Sequence, residues 1–427
     1  MVSVRNLASL RTFVLLLVAA TLFLGAGDPV HGATRATGRP STAALRICSG
    51  CAAKGVFAGR YRYVILQAWE SARIPQLKAA DPNVKVLVYK DVAATVDYTC
   101  SNGIDDSQLP AGLGYCAANA SDPDWFLKDT TGARIAWCDF PHAWQMDVGN
   151  AGYQRQWLAN VVASAKAGGF DGVLMDDVNE TASAHLCGRT IKSYPTEVDY
   201  TAATTSFMAA VGPALQANGL LAVPNIAIED WWTPHGYSVW DKWLSFSSGA
   251  VQEYYSKWRH DSGAWLSDDG KWHNDWSSRQ KFLARTESAG KFFIGITYAP
   301  AGDLRSMRYA RASFLLDWDG GPSALAFEPT DPEAQDPYSN EWAVDVGTPS
   351  SPRLKVGVAW RRDYSGGVVV LNPSPSATQR VNLGATFVMP DGHPVTAVTL
   401  SPLSALVLRA ADVPRRLGAF RLSRDRR

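Results

Sequence analysis

The chain has 427 residues, 46% of them hydrophobic and 19% charged, with a formal net charge of +1. This describes a globular chain long enough for one large domain and a small one. The near-zero charge excludes the basic excess on which a nucleic-acid binder depends, so no nucleic-acid partner is expected.

Arg5 and Arg11 precede an apolar run, TFVLLLVAATLFLGAG from Thr12 to Gly27, and small residues follow around Gly32 and Ala33. A basic start, an apolar middle and a small-residue end make residues 1–32 a signal peptide. The run is shorter than the roughly 20 residues of a spanning helix. The expectation is a secreted, extracellular chain with no stable membrane insertion after the leader is cleaved. Residues 33–60 read as an N-terminal segment. In an oxidising compartment the six cysteines are expected to pair, and sequence proximity favours Cys48 with Cys51, Cys100 with Cys116, and Cys138 with Cys187.

From Tyr63 onward, short apolar runs alternate with helical or loop-like stretches. Eight runs stand out: YVILQAW from Tyr63, VKVLVYKD from Val84, AWQMDV from Ala143, GVLMDD from Gly172, LLAVPNIA from Leu220, GAVQEYY from Gly249, FFIGITYA from Phe292 and SALAFEP from Ser323. YQRQWLANVVASAKAGG is a helix candidate with Asn150 as its N-cap and a glycine pair as its stop. Eight such units across residues 61–330 match an α/β fold, a (β/α)8 TIM barrel of roughly 250 residues. An open doubly wound sheet fits less well, because no G-x-G-x-x-G follows the first strand. Residues 331–352, rich in Pro, Ser and Asp, read as a linker. Alternating runs over 353–410 predict a small C-terminal antiparallel β-domain; with one tryptophan, Trp360, its expected role is structural. Residues 411–427 form a basic tail.

Reacting groups of such barrels sit at the carboxyl ends of the strands. Polar residues collect there: Glu70 after the first run, Tyr89, Lys90 and Asp91 at the second, Asp147 at the third, Asp176 and Asp177 at the fourth, Asn225 at the fifth, Glu253 and Tyr255 at the sixth, and Tyr298 at the seventh, with Trp69 and Asn179 as further candidate substrate contacts beside them. Glycoside hydrolysis needs one carboxyl that protonates the leaving oxygen and another that stays ionised. Asp176 is expected as nucleophile and Glu253, flanked by Val251, Tyr254 and Tyr255, as acid and base. Alternation along the strand lets one of the adjacent acids point into the mouth, which leaves Asp177 as an orienting or sugar-binding group. The remaining strand-end residues are candidate substrate contacts.

Eight of the 16 tryptophans lie between Trp231 and Trp276. Indole faces suit the C–H faces of sugar rings, so Trp231, Trp232 and Trp258 are candidate platforms for a carbohydrate substrate. No cofactor or metal is expected, since the seven histidines form no H-x-H or H-x-x-x-H pair. The alternatives are a metal-dependent polysaccharide deacetylase or phosphodiesterase built on Asp176, Asp177 and a histidine, and a non-catalytic glycan-binding barrel.

Several stretches carry a family resemblance: GVLMDDVN, DWFLKDTTGARIAW with WQMDVGN, VPNIA, VQEYY and WRRDYSGGVVVLNPS. Together, over Tyr61 to Leu408, they resemble the hypothetical glycosyl hydrolase family 15 and, more distantly, polygalactosaminidase-like barrels. The resemblance implies a secreted TIM-barrel glycoside hydrolase whose strand-four acid is Asp176 and whose strand-six acid is Glu253, with Asp147 a competitor for the second role. It also implies retention of anomeric configuration through a glycosyl-aspartate on Asp176.

Overall fold

A computed structural model describes residues 41–47, 59–182, 185–186, 188–261, 263–269, 275–330 and 344–411. Residues 1–32, expected as a leader, and Cys48, Cys51, Cys187, most of the 331–352 linker and the basic tail lie outside these residues. Among the described residues, no helix is long and apolar enough to cross a membrane.

Eight parallel strands close into a barrel: β1 Thr42–Arg46, β2 Tyr63–Leu66, β3 Lys85–Asp91, β4 Gly172–Asn179, β5 Leu221–Ala227, β6 Gly249–Gln252, β7 Phe292–Ala299 and β8 Ala324–Pro329. β1 closes the ring by pairing with β2 on one side and β8 on the other. Leu45, Ile65, Leu87, Leu174, Val223, Val251 and Ile294 belong to one buried cluster that fills the barrel. The intervening residues Val64, Val86, Val173, Ala222, Ala250 and Phe293 pack outward among the helices. Both faces of each strand are therefore apolar, as a parallel sheet covered by helices requires.

Seven of the eight predicted runs are barrel strands, and the third is not. Ala143–Gln145 pairs antiparallel with Ala94–Val96 in a separate two-stranded sheet, while β3 pairs directly with β4, Asp91 opposite Asp176. Ala143 and Trp144 are partly exposed, a state that a barrel strand buried on both faces does not allow. The missing strand is β1, all five residues of which are buried. The barrel thus begins at Thr42, inside the stretch assigned to a separate N-terminal segment. Residues 92–150, between β3 and its helix, form an excursion over the mouth, tied by the expected Cys100–Cys116 disulfide with a Cα–Cα distance of 5.4 Å. Cys138 is disulfide-bonded too.

The helices follow their strands: α1 Ile74–Ala80, α2 Ala151–Gly168, α3 Glu197–Ala217, α4 Pro234–Ser245, α5 Asp275–Ser288 and α6 Leu304–Asp317. α2 starts on Asn150, whose Oδ1 accepts the N–H groups of Gly152 and Tyr153 at 2.8 and 3.2 Å. It stops at Gly169, where φ of +74° favours glycine.

The C-terminal part is a six-stranded antiparallel sheet: β9 Leu354–Val356, β10 Ala359–Tyr364, β11 Gly367–Asn372, β12 Gln379–Val388, β13 Pro394–Leu400 and β14 Ser404–Ala410, in the order β9-β10-β11-β14-β12-β13. One face, with Val369, Leu371, Ala405 and Val407, joins the core around α6, and the other, with Val368, Val370, Val381 and Leu408, makes a core of its own. Arg362 Nη1 donates to the carbonyls of Leu315, Leu316 and Trp318 at 3.1, 3.1 and 2.7 Å, satisfying groups that a helix C-terminus leaves open. Trp360 lies against Trp276, 6.2 Å between ring centres, so it packs against the barrel.

Candidate active site

At the carboxyl ends of the strands lies a cavity of about 770 Å³, lined among others by Gln67, Tyr89, Asp91, Asp176, Asp177, Asn179, Asn225, Glu253, Tyr254, His260 and Arg279. Its floor follows from strand register. Tyr89 and Asp91 share the inward face of β3 with Leu87, and Asp176 continues the inward face of β4 from Leu174.

At Asp177 the alternation breaks. Its φ is +58°, and the register between β4 and β5 shifts between Met175 and Val178. Val178 then packs outward with Val173 and Met175, where strict alternation would have turned it inward. This is a β-bulge, a device that re-aims side chains. It turns both neighbouring carboxyls to the cavity, so the expectation that alternation admits one of them is corrected.

Asp176 receives two donors: Tyr89 Oη to Oδ2 at 2.6 Å and Asn225 Nδ2 to Oδ1 at 2.8 Å. Glu253 also receives two: Asn225 Nδ2 to Oε2 at 2.9 Å and Tyr298 Oη to Oε1 at 2.9 Å. The Asn225 carboxamide is oriented by its own oxygen, which accepts the Glu253 backbone N–H at 3.3 Å. Burial, and then the charge of Asp176, push Glu253 up to about 7.

Asp91 and Asp177 form a second carboxyl pair. Oδ1 of Asp91 accepts the N–H groups of Ala93 and Ala94, both at 2.8 Å. Burial and the charge of Asp176 raise Asp91 to about 7 against the opposing pull of those bonds. Asp177 is raised well above the usual carboxylate range, first by burial and then by the charges of Asp91 and Asp176, and it is hydrogen-bonded to Asp91. Four carboxyls enclosed together cannot all ionise at neutral pH, and a shared proton is the ordinary resolution. Asn179 Nδ2 reaches Asp177 Oδ1 at 3.5 Å.

Other expected contacts lie elsewhere. Lys90 points out of the barrel from the opposite face of β3; buried, with its ammonium on the Leu109 carbonyl, its pKa is lowered to about 8. Asp147 is bound by the Tyr194 hydroxyl and, at 3.1 Å, by the Gly149 N–H, away from the acids with which it was to compete. Tyr255 is fully buried with its hydroxyl on Gln280, a core residue because the left-handed Tyr254 beside it, φ +53°, takes the cavity-facing position. Trp69, on the short helix Ala68–Arg73, is 38% exposed outside the cavity lining. Trp231, Trp232 and Trp258 also stand behind the lining; Trp231 lies 4.7 Å from each of the other two. The rings meet edge-to-face and tilted, at 88° and 55°, and the Arg279 guanidinium covers Trp231 and Trp258, which takes up ring faces that a sugar would need.

Sequence reasoning missed Gln67, Arg279 and most of the aromatic rim. The rim comes from the excursion, Tyr98, Trp137 and Phe140, and from His185, on which Trp137 stacks at 3.8 Å. Gln67 follows β2 directly and could have been found by the strand-end rule. Glu180, Asp230 and His235 bring ligand atoms within 4.8 Å of one another, but none of them lines the cavity.

No curated protein sequence matches the chain. Solved structures give distant likenesses. Ega3 of Aspergillus fumigatus, in complex with galactosamine, has a TM-score of 0.41 and 10% identity over 70% of this chain and 94% of that one. The glycoside hydrolase domain of PelA from Pseudomonas aeruginosa has a TM-score of 0.43 and 16% identity over 69% and 97%. An alpha-amylase from Geobacillus thermoleovorans, complexed with acarbose, has a TM-score of 0.46 and 10% identity over 86% and 98%. Residues 78–368, which run from α1 through the rest of the barrel into β11, match the family described as hypothetical glycosyl hydrolase family 15. The chain belongs to that family and is a glycoside hydrolase.

Proposed function

We propose that the protein is a secreted, retaining glycoside hydrolase in which Asp176 is the nucleophile and Glu253 the acid and base. The observation that carries this reading is the shared donor. Asp176 Oδ1 and Glu253 Oε2 both accept from Asn225 Nδ2, so the 2.8 and 2.9 Å bonds laid end to end limit their separation to about 5.7 Å. Retaining enzymes hold their carboxyls about 5 to 5.5 Å apart, and inverting ones about 6.5 to 9.5 Å to admit a water.

The chemistry follows from that spacing. Glu253, raised to about 7, gives its proton to the glycosidic oxygen as the bond to the anomeric carbon breaks. Asp176, steadied by Tyr89 and Asn225, takes the anomeric carbon as a glycosyl ester. Glu253, now ionised, removes a proton from water, which attacks that carbon and frees Asp176. Asp91 and Asp177, beside the nucleophile, are placed to hold sugar hydroxyls. The leader-like residues 1–32 and the Cys100–Cys116 disulfide support secretion.

A panel of polysaccharides digested with the wild-type protein tests the reading, with proton NMR following the first-formed anomer. Retention, lost in Asp176→Asn, is expected. An inverted product would replace the covalent route by direct water attack. Release of acetate or phosphate with no new reducing ends would make the protein a deacetylase or phosphodiesterase.

A further inference from the structure

Arg279 projects from α5 into the cavity wall and is 8% exposed. Its guanidinium lies 4.4 Å over the Trp231 ring and 5.0 Å over the Trp258 ring. Its Nε is buried with no hydrogen-bond partner, and among the described residues no carboxylate pairs with it. Two partly buried arginines are matched by contrast: Arg353 Nη1 meets Asp317 Oδ2 at 2.7 Å, and Arg362 serves three carbonyls. The charge of Asp275 acts on Arg279, yet burial prevails and lowers its pKa to about 10.

An enclosed cation held only by ring faces is costly to keep, because stacking does not replace the hydrogen bonds that water gave it. Two tryptophans nevertheless fix it in place, leaving its edge for the cavity. A planar guanidinium fork matches oxyanions through two parallel hydrogen bonds, which an ammonium does not reproduce.

We propose that Arg279 is the anion-recognising residue of a substrate subsite, and that the glycan bound here carries an oxyanion, either a uronate carboxylate or a sulfate ester. The word substrate rests on the hydrolase reading above; the anion site itself does not. Arg279 lies over Trp231 and Trp258, which follow β5 and β6, whereas Asp91, Asp176 and Asp177 stand at the carboxyl ends of β3 and β4. One sugar can therefore lie against the acids while its anionic substituent, or that of its neighbour, reaches the guanidinium. Trp231 and Trp258 act in this arrangement as the support of the arginine.

The test is a titration of the full mature chain, by calorimetry and tryptophan fluorescence. The carboxylate arm is D-glucuronate and D-galacturonate, the sulfate arm is glucose 6-sulfate and galactose 6-sulfate, and glucose and galactose are the neutral controls. One charged arm is expected to bind at least tenfold more tightly than its neutral control. Arg279→Met should lower that affinity at least tenfold, with the thermal midpoint unchanged or higher. Should Arg279→Met fail to fold, Arg279→Lys, which keeps the charge and loses the fork, is expected to weaken binding at least threefold. No preference for either charged arm, or charged-sugar affinity unchanged in the variant that folds, would overturn the proposal. Charged-sugar binding with no glycan cleaved would leave the subsite standing and remove the hydrolase reading; cleavage with charged and neutral sugars bound alike would do the reverse.

Discussion

Asp176 and Glu253 accept hydrogen bonds from one and the same nitrogen, Asn225 Nδ2, at 2.8 and 2.9 Å. The donor bridges them and places partial positive charge between two groups that would otherwise repel. Asn225→Ala should therefore lower kcat by about 10² to 10³, the usual cost of losing a preorganised donor. Because the backbone still fixes both strands, the anomer formed should stay the same. A variant with unchanged kcat would show that the amide does not stabilise the transition state.

The bulge at Asp177 makes the two adjacent acids separable by experiment. Asp176→Asn removes the proposed nucleophile and should reduce kcat by about 10³ or more. Asp177→Asn keeps a side chain that tolerates the left-handed backbone and still offers polar atoms to the sugar, so its loss should appear mainly in KM. Circular dichroism should show both variants folded. An inactive Asp177 variant beside an active Asp176 variant would exchange the two roles.

Much of the fold can be read in the chain as apolar runs that end on polar residues, because a parallel strand buried on both faces has little else to be. β1 escapes that reading: TAALR carries a threonine and an arginine, and the buried Arg46 stands 3.9 Å from Glu328, a partner that the chain order does not reveal. AWQMDV misleads in the opposite sense, since its alternation belongs to a two-stranded flap. The acid pair is visible at the strand ends, but the bulge that turns both aspartates to the cavity is not, since alternation offers no sign of a left-handed residue. The tryptophans were the weakest guide. Trp240, Trp243 and Trp276 are fully buried, and the value of Trp231 and Trp258 depends on an arginine some twenty to fifty residues away in the chain.

The C-terminal sheet is fastened to α6 through Arg362, which donates to the carbonyls of Leu315, Leu316 and Trp318 and, through Nε, to Ser351 at 2.8 Å. Arg362→Met preserves much of the side-chain volume and leaves these acceptors without their donor. The cost should be about 2 to 3 kcal/mol, read as a lower urea midpoint. Proteolysis should release the sheet earlier than in the wild type. Equal stability would mean that the apolar contacts of Val369, Leu371 and Val407 hold the sheet by themselves.

The enclosed acids make both stability and activity depend on pH, with signs that can be worked out. Asp91 and Glu253 are each raised to about 7, while in the unfolded chain they titrate near 4. Between those values the folded protein binds more protons than the unfolded one, so unfolding free energy should fall as pH rises from about 4 to about 7. Asp177, raised in the same direction, adds to the trend. Asp91→Asn removes one such group and should flatten the slope by up to about 1.4 kcal/mol per pH unit, measurable by urea unfolding at several pH values. For activity, Glu253 as the proposed acid must carry its proton, so kcat/KM should decline above about pH 7. The hydrogen bond from Tyr298 opposes the rise in the Glu253 pKa. Tyr298→Phe should accordingly move the basic limb to higher pH, even as it lowers the maximum rate. A limb that stays in place, or moves to lower pH, would show that a group other than Glu253 sets it.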